Sequence, residues 1–80
     1  MNLYKISRKT GRAGYDEYKG AIVAAKSSDD ARSIHPGSAI YPNIKEAEDW
    51  TTLDNIQVEY IGGAASYLEQ GVVLESFRAG

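Results

Sequence analysis

The sequence predicts an α+β domain: a small antiparallel β-sheet in the order β-β-α-β-β, one short helix packed on one face, and a long middle loop. Three observations carry this expectation. Four segments, residues 2–8, 20–25, 55–61 and 71–78, are rich in β-branched and aromatic side chains and are bounded by glycine-containing stretches. Residues 27–35 carry both a helix start signal and a helix stop signal. Residues 36–54 carry neither a strand alternation nor a sustained helical period.

In the first strand Tyr4, Ile6 and Arg8 alternate with Leu3, Lys5 and Ser7, so Tyr4 and Ile6 are the expected core-facing pair. A loop follows over residues 9–14, with Gly11 and Gly14 and no periodicity. Tyr15 to Tyr18 lead into the second strand, Gly20-Ala21-Ile22-Val23-Ala24-Ala25. Its continuous run of small and branched residues suits a strand covered on both faces or a central strand, and the paired alanines leave room for a close helix.

Ser27 is placed to accept a hydrogen bond from the first helical turn, and Asp29 and Asp30 suit the positive end of the helix dipole. Pro36 disfavours helical geometry at His35, which predicts a stop there. A helix of barely two turns is unstable alone, so Ala31 and Ile34 must hold it to the sheet. In the middle segment, Ile44, Ala47 and Trp50 have the spacing of one helical turn with its apolar side inward. The third strand alternates Ile56, Val58 and Tyr60 with Gln57 and Glu59, and Gly62-Gly63 are expected to end it. Residues 64–70 are a connection with a half-turn at Tyr67 and Leu68. Gly71 opens the fourth strand, and the last two strands are expected to pair with each other. The expected core includes Ile22, Val23, Ile34, Trp50, Val58 and Leu74.

The chain of 80 residues reads as one domain, residues 1–80. Its hydrophobic content is 42%, but ten of these positions are alanine, which leaves material for one thin core and excludes a two-domain enzyme with a deep cleft. There is no cysteine, hence no disulfide, thiolate nucleophile or cysteine-based metal site. No apolar run approaches the roughly 20 residues that span a bilayer, and no secretory leader precedes the first strand, which predicts a cytoplasmic protein away from the membrane. The net charge is −2 and the pI about 5.2, against a pI above about 9 for a typical nucleic-acid-binding domain, so direct nucleic-acid binding is disfavoured.

The segments Asn2-Leu3-Tyr4-Lys5-Ile6-Ser7, Gly14-Tyr15-Asp16-Glu17-Tyr18 with Ala21-Ile22-Val23-Ala24-Ala25, and Ser28 to Pro36 form a recognisable pattern. So do Trp50 ahead of a Val-containing strand and the ending Gly71-Val72-Val73-Leu74-Glu75-Ser76-Phe77-Arg78-Ala79-Gly80. Together they resemble a group of short phage- and prophage-encoded proteins. The resemblance covers nearly the whole chain and consists of structural residues, with no catalytic motif to carry over. It implies a phage context, in which small acidic proteins often inhibit host defence, anti-CRISPR proteins among them.

Searching the residues for chemistry yields little. His35 is the lone histidine, and a metal site needs more than one such ligand; a structural role before Pro36, capping carbonyls or packing on Tyr41, accounts for it better. No Gly-x-Ser-x-Gly elbow is present, and Gly11-Arg12-Ala13-Gly14 lacks the Lys-Ser/Thr of a phosphate-binding loop. The chain is therefore read as a non-enzyme with no catalytic residues, metal or cofactor.

Two surfaces stand out instead. Arg8, Lys9, Arg12, Tyr15 and Tyr18 combine the residue types of protein-binding hot spots and are the expected partner-binding set. Glu46, Glu48, Asp49, Asp54 and Glu59 form a second, acidic candidate, suited to a basic channel. The leading expectation is a binding protein that inhibits a host defence complex, such as a CRISPR effector, by steric occlusion. The alternatives are a module that sequesters a nucleotide signal and a minor virion or lysis-regulation protein. A homodimer is compatible with all of them.

Overall fold

A computed structural model describes residues 1–78; Ala79 and Gly80, the last two residues of the expected ending motif, lie outside the described residues. The elements are β1 (Asn2–Arg8), β2 (Glu17–Ala25), α1 (Ser28–Arg32), a single 3₁₀ turn (Leu53–Asn55), β3 (Ile56–Gly63) and β4 (Gly71–Arg78). They form a four-stranded antiparallel sheet with one short helix on it. Among the described residues no helix is long and apolar enough to cross a membrane.

The strand order is β3-β1-β2-β4, so β3 and β4 occupy opposite edges and do not pair as expected. The β1–β2 hairpin takes the centre because its strands carry the most complete apolar face. Residues 64–70 then cross the end of the sheet to reach the far edge. Gly62 and Gly63 extend β3 and pair with Leu3 and Asn2 rather than ending the strand. Likewise β2 begins at Glu17, ahead of the expected Gly20, because Glu17 and Tyr18 pair with Arg78 and Phe77.

One face of the sheet holds the core. Tyr4 and Ile6 face it as expected, beside Ala21, Val23 and Ala25 of β2 and Ile56 of β3. Ala31 seats α1 on this face, and Ile34, Ile44, Val58 and Val72 close its margins. Ser27 caps the helix by accepting the Asp30 N–H at 3.2 Å. The helix ends at Arg32, short of His35, where the Arg32 guanidinium bonds to the Ile56 carbonyl and ties the last turn to β3.

Of the expected core, Val23 and Trp50 are buried, Ile34 and Val58 are partly so, and Leu74 is 64% exposed. A register irregularity explains Leu74. The adjacent residues Ile22 and Val23 pair with Leu74 and Val72, which leaves Val73 as an extra residue. Val72 therefore joins the core beside Val23, whereas Leu74 sits beside Ile22 and Lys5 on the reverse face. Ile22 is thus a reverse-face residue as well. The expected turn of helix over residues 44–50 is absent, since Ala47 (φ 66°) and Asp49 (φ 53°) are left-handed. Trp50 is buried all the same, at 5% exposure.

Candidate binding site

A depression of about 860 Å³ lies where β2 begins and β4 ends. Tyr18 of β2 and Glu75 and Phe77 of β4 form one wall; the segment from Ile40 to Asp49 forms the other. Tyr18 and Phe77 are cross-strand partners, and their rings meet edge to face at 4.9 Å. Ile40, Tyr41 and Phe77 are exposed to 62%, 60% and 43%, so the cleft offers apolar surface to an outside group. Four carboxylates line it, Asp16, Glu48, Asp49 and Glu75. Among the described residues the one ion pair is Arg8–Glu17 at 3.8 Å, so Asp49 and Glu75 have no cationic partner there.

The outer wall is held by His35. Its Nδ1 accepts the Gly37 N–H at 2.9 Å, which places the proton on Nε2, and Nε2 donates to the Glu48 carbonyl at 2.6 Å. One imidazole therefore clips both ends of a 12-residue stretch while its ring stands perpendicular to Tyr18 at 5.7 Å. This is a structural role, with Tyr18 in the place where Tyr41 was expected. The Asp49 carbonyl adds a second tie by accepting the Tyr18 N–H at 2.8 Å. Replacing His35 with alanine is expected to cost about 1–3 kcal/mol and to loosen the wall, read as a lowered denaturation midpoint and faster amide exchange over residues 37–48.

Tyr18 is 5% exposed and lines this depression. Burial pushes its acidity constant above the ordinary value of 10.0, and Tyr41, Glu75 and Asp49 push it in the same direction. The folded state then binds this proton more tightly than the unfolded state. The resulting stability is complete below about pH 10 and is lost as pH rises through the raised value. Tyr18→Phe is accordingly expected to flatten the alkaline loss of stability above about pH 10 while leaving neutral stability nearly unchanged, as denaturant midpoints against pH will show.

The structure divides the two residue sets expected from sequence. In the basic set, Arg8 is half-buried: its guanidinium donates to the Tyr18 carbonyl at 3.1 and 3.3 Å and lies 5.4 Å from the Trp50 ring. Tyr18 faces the acidic cleft instead of the loop surface. Lys9, Arg12 and Tyr15 are exposed, and Tyr15 stacks under Arg78 at 4.6 Å. Arg8 and Arg12 share a smaller recess of about 300 Å³ with Lys19 and Arg78, which has no carboxylate in its lining. In the acidic set, Glu48 and Asp49 reach the large cleft, and Glu46 lines a neighbouring recess beside Trp50. Asp54 stands in the 3₁₀ turn, and Glu59 lies opposite Lys5 on β3.

Sequence reasoning missed Asp16, Ile40, Tyr41, Glu75 and Phe77 as cleft residues. The available signals were a carboxylate, Glu75, directly after the apolar run Val72-Val73-Leu74, and an apolar run, Ile40-Tyr41-Pro42, in a loop. No family model, curated protein or solved structure matches the chain, and nothing in these comparisons identifies a phage protein family.

Proposed function

We propose that this chain is a small non-enzymatic binding protein that acts by occupying a partner's surface, with the acidic, aromatic cleft as its docking face. The observation that carries this reading is the coincidence of exposed Ile40, Tyr41 and Phe77 with the carboxylates of Asp49 and Glu75, which have no cationic partner among the described residues, in one depression. Exposed aromatic surface supplies contact energy, and carboxylates steer the encounter toward a basic surface. In the setting that the phage-like pattern implies, the partner is a host defence complex, such as a CRISPR effector, in the cytoplasm of an infected bacterium.

The test is co-purification with defence complexes from such a host, comparing the wild type with an Ile40→Ser/Tyr41→Ser variant. Both side chains are exposed, so the variant is expected to keep its thermal midpoint and to lose at least tenfold in capture. Unchanged capture by this variant, with loss in Arg12→Ala/Tyr15→Ala, would move the docking face to the first loop. The recess lined by Arg8, Arg12, Lys19 and Arg78 favours a second reading, capture of a small phosphorylated signal. Calorimetry with cyclic nucleotides tests it, and the absence of heat would remove it.

A further inference from the structure

We infer that the cleft receives an arginine side chain carried on a basic segment of a protein partner, an inference that rests on the docking face proposed above. The electrostatic case is one-sided. Asp49 on the loop wall and Glu75 on the β4 wall have no cationic partner among the described residues, and no lysine or arginine lines the cleft. The chain's own nearby guanidinium groups are engaged elsewhere. Arg8 is spent on the Tyr18 carbonyl, and Arg78 donates to the Ala13 carbonyl and stacks on Tyr15.

The aromatic lining narrows the cation. Tyr41 and Phe77, on opposite walls, present exposed ring surface alongside the carboxylates. A guanidinium is planar, stacks on rings and can bridge two acceptors; a compact ammonium does this less well. Tyr18 backs this lining: its side chain is 5% exposed, and the His35 and Phe77 rings stand edge to face against it. A metal ion fits poorly, because among the described residues no three carboxylate or histidine groups come close enough to share one.

The probe is a blocked peptide, Gly-Arg-Gly-Arg-Gly, titrated into labelled full-length protein at roughly millimolar concentration. Amide shifts are expected at Tyr41, Asp49, Glu75 and Phe77. The same peptide with citrulline, which keeps the shape and drops the charge, is expected to bind at least tenfold more weakly. Asp49→Asn/Glu75→Gln should show the same loss with the fold intact. Equal binding of the citrulline peptide, shifts centred elsewhere, or unchanged binding to that variant would overturn the inference. The docking face can fail separately. If the peptide does not bind yet Ile40→Ser/Tyr41→Ser still loses partner capture, the docking face stands and the arginine is wrong. If the peptide binds in the cleft and capture is unaffected by that variant, the cation site stands and the docking face is wrong.

Discussion

Trp50→Ala is expected to leave the domain largely unfolded at physiological temperature. Trp50 is 5% exposed, lies under the Arg8 guanidinium and ends the irregular stretch that forms the outer wall of the cleft. Removing a buried indole costs about 3–5 kcal/mol. A chain of this length has only about 4–12 kcal/mol to lose, and each kcal/mol moves the midpoint of so small a domain by roughly 4–8 °C. The wild type should show the blue-shifted emission of a buried indole, and an emission maximum typical of water-exposed indole would contradict this placement. Trp50→Phe separates packing from polarity. The Trp50 Nε1 is buried with no hydrogen-bond partner among the described residues, so phenylalanine removes that orphaned donor together with some contact area. Its expected cost is about 1–2 kcal/mol, visible as a smaller fall in the urea midpoint.

Gly20→Ala is expected to disrupt the centre of the sheet. A Cβ at this position would stand 2.5 Å from the Ile6 carbonyl oxygen and 3.5 Å from the Ser7 Cα. Both are backbone atoms of the neighbouring central strand, so no side chain can swing aside. Relief requires β1 and β2 to separate at the point where Ser7 pairs with Gly20. The expected cost is about 3 kcal/mol or more, at the top of the range for overpacking. Gly62→Ala is the matched control. Nothing stands within 4 Å of a Cβ there, so its unfolding free energy should stay within about 0.5 kcal/mol of the wild type. Equal stability of the two variants would show that the close approach at Gly20 does not exist.

What the sequence determined by itself is what local chemistry determines. The alternation of Tyr4 and Ile6 with Lys5 set the inward face of β1, and Ile56 and Val58 did so for β3. Ser27, two residues ahead of Asp29, fixed the start of the helix, and Pro36 bounded its end. The lone tryptophan in an otherwise weakly apolar segment marked itself as the anchor of that segment. Each of these signals spans a few residues, the range over which a periodicity, a cap or a steric restriction acts.

The tertiary structure decided the rest. The sheet order β3-β1-β2-β4 depends on which strands share the largest apolar face, a comparison among segments far apart in sequence. The extra residue at Val73 reversed the face of Leu74, because a bulge is a property of two strands in register and leaves no trace in the alternation of one. The cleft depends most on this level. Asp16 comes from the turn before β2, Asp49 from the loop and Glu75 from β4. Their proximity follows from the pairing of Tyr18 with Phe77 and from the His35 clip, and the spacing of these residues along the chain encodes neither.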